Sequence, residues 1–135
     1  MRIIALLFAF VVLLGSHARA GDDVAAAQGV IRSQAEAFAR DDAAAAYGYA
    51  APEIHELYPQ ADAFLGMVAH SYAPVYRHKS FEFGEARSAD GKIAQQVHIV
   101  DADGVPWEAL YTLEQQGDGT LKIVGCALIK MGQGV

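Results

Sequence analysis

The chain has 135 residues with 10 basic and 16 acidic side chains, a formal charge of −6, and a pI near 5.2. No basic cluster exists, which argues against nucleic acid and anionic lipid as partners. The single cysteine, Cys126, excludes an internal disulfide framework.

The first 20 residues read as a secretory signal peptide. Met1-Arg2 gives a short positive start, Ile3 to Leu14 is unbroken apolar sequence, and Ala18-Arg19-Ala20 is the small-x-small pattern at which such segments are cut. The apolar run is shorter than the roughly 20 residues a spanning helix needs. Cleavage predicts an exported, periplasmic or secreted, mature chain of residues 21–135, one domain by length, with no membrane anchor; an uncleaved N-terminal anchor is the alternative. Losing Arg2 and Arg19 takes the formal charge from −6 to −8.

Helical spacing follows. Val24, Ala27, Ile31, Ala35 and Phe38 share one face and predict a helix over 23–40, with Asp22 and Asp23 at its start. Asp41-Asp42 ends it and caps a second helix, 42–49. Glu53 to Tyr58 form a turn or two between Pro52 and Pro59. Phe64, Leu65, Val68 and Tyr72 predict a helix over 61–72, stopped by Pro74.

Beyond residue 75 the period becomes two. Asp90-Gly91, Asp103-Gly104 and Asp118-Gly119 separate strand-like runs at 78–89, 92–102, 105–116 and 120–131. Asp-Gly suits two-residue hairpin turns, so the fold class is α+β: N-terminal helices packed on a curved four-stranded antiparallel meander. Two-residue turns throughout would pair Phe83 with His98, His98 with Ala109, Val100 with Trp107, and Tyr111 with Cys126. Phe81, Phe83, Ala94, His98, Val100, Trp107, Ala109, Tyr111, Leu113, Val124, Cys126 and Leu128 would then face the helices. Ile93, Val97, Ile99, Leu110, Ile123, Ala127, Ile129 and Met131 would lie on the other face, among Glu82, Glu108 and Glu114. That face is too apolar for solvent, and a second copy of the chain is the simplest cover. A longer loop or a bulge would swap the faces beyond it.

The pattern resembles the NTF2-like, or cystatin-like, α+β cone. Within it the chain resembles the DUF4864 family of exported bacterial proteins. The resemblance is carried by Val30-Ile31-Arg32-Ser33-Gln34-Ala35-Glu36-Ala37-Phe38 with Asp41-Asp42, by Tyr72-Ala73-Pro74-Val75-Tyr76, by Asp103-Gly104 with Trp107-Glu108-Ala109-Leu110-Tyr111, and by Asp118-Gly119-Thr120-Leu121-Lys122-Ile123-Val124-Gly125-Cys126. The chain departs from the family at Leu121, where a Trp is expected. The resemblance implies the fold and export. It carries no catalytic residues to transfer.

Such folds hold a pocket between helices and sheet, and the pocket serves enzymes and plain binders alike. Phe83, His98, Trp107, Tyr111 and Tyr72 are the candidate ligand-binding residues, a wall for a small apolar or aromatic molecule. His98 and Tyr111 are the candidate catalytic pair for an isomerase, dehydratase or hydrolase; a core histidine with a hydroxyl or carbonyl partner is the plainer reading of His98. Cys126 and His98 would sit two strands apart, too far for proton transfer. His55, His70, His78 and His98 show no metal-ligand spacing, and no cofactor motif is present. Binding of a ligand or partner, an enzyme, and a structural envelope protein with a filled core are the three readings left open. Cys126 itself reads as a small buried apolar side chain.

Overall fold

A computed structural model describes the backbone of residues 8–132 and the side chains of residues 20–132. The start of the signal-like segment, residues 1–7, lies outside the described residues. Helices α1 (Phe8–Ala39), α2 (Ala43–Gly48), α3 (Pro52–Leu57), α4 (Ala61–Ser71) and α5 (Ala73–Tyr76) precede strands β1 (His78–Ala89), β2 (Lys92–Asp101), β3 (Pro106–Gln115) and β4 (Leu121–Lys130). The strands form one open antiparallel sheet in the order β1-β2-β3-β4, and the helices pack on one face. This is the expected α+β class.

The helical boundaries follow local chemistry, with two departures. First, α1 does not begin near residue 23; it runs unbroken from Phe8, so Asp22 and Asp23 lie within it. Second, Pro74 does not simply end α4. It occupies the first turn of α5, where a missing N–H costs nothing. Asp42 caps α2 as expected, its carboxylate accepting from Ala45 N at 3.1 Å. Asp41 takes a positive φ of 56° at the end of α1 and accepts from Arg77 Nη2 at 2.9 Å and from the Tyr76 hydroxyl. Those bonds tie the end of α1 to α5 and hold the Asp41 carboxyl below its usual range, the Tyr76 bond being the larger cause.

The sheet departs from the expected register in three places. Asp90 and Gly91 both have positive φ, 52° and 74°, and form the two-residue turn that Asp-Gly favours. In the other two pairs only the glycine is left-handed, Gly104 at 84° and Gly119 at 87°. Each closes a longer loop: Asp101 N donates to Val105 O around Ala102 to Gly104, and Gln116 N donates to Thr120 O around Gly117 to Gly119. Asp101 Oδ1 accepts from Asp103 N and Val105 N, and Asp118 Oδ1 accepts from Thr120 N. These side-chain bonds stabilise the extra residue.

The β2–β3 loop shifts the pairing by one, so Ile99 faces Trp107 and His98 faces Glu108. In β1 a bulge between Phe83 and Ala86 shifts it again, so Phe83 pairs with Val97 and Glu82 with His98. In β4 a bulge between Gly125 and Ile123 offsets the long loop, and Tyr111 pairs with Cys126 as expected. A one-residue slip turns every side chain of a strand to the other face. The two shifts flanking β2 therefore turn that strand over. Ile93, Val97 and Ile99 point into the core, while Ala94, His98 and Val100 point away from it. Ile123, expected outside, is also buried.

The β1 bulge is held by a residue that strand periodicity does not single out. Gln95 is wholly buried; its Nε2 reaches Gly84 O, Glu85 O and Gln96 O at 3.2, 3.3 and 2.7 Å, and its Oε1 accepts from Gln28 Nε2 of α1 at 3.1 Å. The amide thus satisfies carbonyls that a bulge removes from the ladder. Gly84 also gives the His98 ring room: a Cβ there would lie 2.7 Å from His98 Nε2 and displace the ring.

The chain between α2 and α3 runs against the edge of β4. Ile123 N donates to Tyr49 O at 2.9 Å, and Ala51 N donates to Ile123 O at 2.8 Å. This covers part of an edge strand and sets where α3 lies.

Candidate functional site

The register leaves a hollow of about 410 Å³ between the helices and the β3–β4 half of the sheet. Gln34 and Phe38, one turn apart on α1, form one wall. Phe64, Met67, Val68 and Ser71 share a face of α4 and form the second. Tyr111 and the segment from Ile123 to Cys126 form the floor, with Ile54, Leu57 and Tyr58 from α3 and its end at the rim. Leu57 is 75% exposed although it borders the hollow.

The walls are braced by aromatic packing. Phe64 lies 6.1 Å from Phe38, 5.7 Å from Tyr47 and 6.5 Å from Tyr58, centroid to centroid. His55 stacks on Tyr47 at 3.7 Å, and its Nε2 lies 2.8 Å from Tyr47 O. Tyr47 in turn donates its hydroxyl to Tyr58 O. His55 is thus a brace that holds α3 to α2.

Among the described residues no Asp, Glu, Lys, Arg or His lines the hollow. Its buried polar residues are Gln34 and Tyr111, with the half-buried Cys126, Tyr58 and Tyr72 beside them. Gln34, 4% exposed, donates from Nε2 to Ala46 O at 3.2 Å. Tyr111, 2% exposed, meets Cys126 across the β3–β4 pairing. Burial pushes the Cys126 thiol up to about 12 and drives the Tyr111 hydroxyl well above its usual value. Both stay protonated at neutral pH, so the floor is uncharged.

The five expected binding residues divide among four places. Tyr72 and Tyr111 line the hollow. Phe83 faces inward farther along the sheet, 6.0 Å from Phe81 and beneath the Arg32 guanidinium at 4.9 Å. Trp107 lies beside a separate depression with His70, Arg77 and Asp101; its Nε1 donates to Asp101 Oδ2 at 2.9 Å, and Lys130 Nζ lies 5.9 Å from the ring. Backbone donation from Val105 and the Trp107 bond hold the Asp101 carboxyl low. His98 is the clear correction. Its side chain is 53% exposed on the outer face, with Nδ1 2.9 Å from Glu108 Oε2. His98 and Tyr111 lie on opposite faces of the sheet and cannot act as a pair on one substrate.

Sequence reasoning missed Gln34 and Met67. The signal at Gln34 was an amide on the apolar stripe of α1, one turn before Phe38. Among the described residues no three His, Cys, Asp or Glu side chains gather as a metal site.

The outer face is also more polar than expected. With Ile93, Val97, Ile99 and Ile123 turned inward, its exposed large apolar residues among those described are Leu110, Ile129 and, just past β4, Met131, beside Gln96, His98 and Glu108. Glu108 accepts from both Gln96 and His98.

No curated protein and no solved structure matches the chain. The model of one family, described as a domain of unknown function, matches residues 20–133. The chain belongs to that family, DUF4864.

Proposed function

We propose that this protein is an exported NTF2-like domain that binds a small apolar or aromatic ligand in the hollow between its helices and sheet. The observation that carries this reading is the 410 Å³ space with uncharged, largely aromatic and aliphatic walls. Pockets of this size and lining suit small molecules. A filled core would leave no such space, and the separation of His98 from Tyr111 removes the pair on which the enzyme reading stood.

Export rests on the pattern of residues 1–20. Two features support it: the family match begins at residue 20, and Ala27 is the first buried side chain among the described residues. Among those residues no helix is long and apolar enough to cross a membrane. Mature protein recovered outside the cytoplasm should begin at Gly21. Recovery with Met1 retained would overturn the cleavage.

The ligand reading is tested with N-phenyl-1-naphthylamine, an uncharged aromatic probe that brightens on leaving water. It should bind the protein in the micromolar range. Met67→Trp, which enlarges a half-buried wall residue, should weaken it about tenfold or more. Absence of binding, or binding indifferent to Met67→Trp, would overturn the proposal.

Self-association through the outer sheet face is a second reading. It rests on Leu110 and Ile129, 47% and 62% exposed on neighbouring strands. Light scattering at micromolar concentration should give twice the chain mass, and Ile129→Lys should halve it.

A further inference from the structure

Gln34 is almost completely buried, yet only half of its amide is used. Its Nε2 donates to Ala46 O. A carbonyl only accepts, so this bond fixes which end of the amide is nitrogen and turns Oε1 away from Ala46. No described residue donates to Oε1. Among the described residues no sealed side-chain polar atom lacks a partner. Oε1 is therefore reachable, and the space that Gln34 borders is the hollow.

Among the described residues no Asp, Glu, Lys, Arg or His joins Gln34 on these largely apolar walls.

We infer that the hollow selects an uncharged aromatic ligand carrying an O–H or N–H donor, which meets the Gln34 Oε1 acceptor, and that it discriminates against carboxylates. This rests on the ligand-binding reading above and goes beyond it by naming the ligand class. A neutral donor satisfies an acceptor that binding would otherwise strip of water. A carboxylate brings only acceptors and a charge, and among the described residues it finds no cation on the walls to offset the loss of its hydration. At about 30 Å³ for each water-sized group, the hollow has room for roughly fourteen such groups. A two-ring aromatic molecule fits this space.

Competition against bound N-phenyl-1-naphthylamine at neutral pH tests the selectivity with three compounds of one shape. 1-Naphthol carries a donor, 1-methoxynaphthalene has the oxygen without the hydrogen, and 1-naphthoate is charged. 1-Naphthol should compete best, the ether about three- to tenfold less well, and the carboxylate more than about tenfold less well. Gln34→Met should narrow the gap between naphthol and ether while leaving the ether's affinity within about twofold, a split that general loosening of the fold would not produce. Gln34→Leu removes the same acceptor and serves as the second variant should Gln34→Met fail to fold. Equal competition by naphthol and ether, or by naphthol and naphthoate, would overturn the inference while the ligand-binding reading stands. Failure of the probe itself to bind would overturn the ligand-binding reading first.

Discussion

The two faces of the sheet are built from the same strands and differ in almost everything else. The inner face carries Phe81, Ile99, Tyr111 and Leu113 against the helices. The outer face sets His98, Gln96 and Glu108 in a solvated hydrogen-bonded cluster. Which residue lies on which face was not decided by alternation, which β2 satisfies either way. It was decided by one extra loop residue between β2 and β3 and by one bulge in β1. A face is a property of register, and register is set at the turns and bulges.

The largest test of this contrast is to remove the extra loop residue. Deleting Ala102 should force the β2–β3 pairing back by one or break it. Turning Ile93, Val97 and Ile99 to water costs about 1.5–3 kcal/mol apiece, against a typical total stability of about 5–15 kcal/mol. Urea unfolding followed by circular dichroism should lose its cooperative transition. A midpoint near that of the parent would show that the loop does not set the faces.

A smaller break comes at the bulge. Gln95→Leu keeps the volume and removes the amide that serves Gly84 O and Glu85 O. Unsatisfied buried acceptors should lower stability by about 2–4 kcal/mol, seen as an earlier urea midpoint with an unchanged slope. A change under about 0.5 kcal/mol would mean that water serves those carbonyls instead.

The floor of the hollow responds to alkali. Cys126 ionises at about 12 in the folded protein, against about 8.5 in an unfolded chain. As pH rises the unfolded chain loses its thiol proton first. The contribution of this group is therefore fully present below about pH 8.5 and is lost between there and about pH 12. Tyr111, also raised by burial, adds in the same direction above about pH 10. The melting temperature should fall as pH climbs from 8 to 10, and Cys126→Ala should make that fall shallower. An equal slope in the variant would remove Cys126 as the cause.

The smallest effect is expected on the outer face. His98→Gln replaces one partner of a solvated pair and should change stability by less than about 1 kcal/mol. Affinity for N-phenyl-1-naphthylamine should not move. A loss of binding would return His98 to the ligand site and erase the distinction between the faces.

Much of the architecture was legible in the residue order. Pro52, Pro59 and the helical spacing through α4 placed the helices, and the Asp-Gly pairs placed all three hairpins. The Tyr111–Cys126 pairing was also legible, though the long loop and the β4 bulge cancel to produce it. The candidate site was less so. Tyr72 and Tyr111 were readable as pocket residues, but Phe83 and Trp107 lie away from the hollow. His98 lies outside it altogether, because one residue of slip reverses a strand that mixes polar and apolar residues on both parities, Gln95 with Val97 and Ile99 on one and His98 with Ala94 and Val100 on the other.

The amino-acid order by itself determined the α+β class, the meander and the absence of an internal disulfide, since these depend on local periodicity, turn chemistry and a count of cysteines. Tertiary structure alone decided which face of β2 enters the core. A three-residue Asp-Gly loop and a two-residue one read alike until their backbone torsions are known, and a bulge becomes visible only when a buried amide such as Gln95 is seen holding it. The open acceptor of Gln34 belongs to the same class of fact: its meaning lies in which of its two ends the Ala46 carbonyl has already taken.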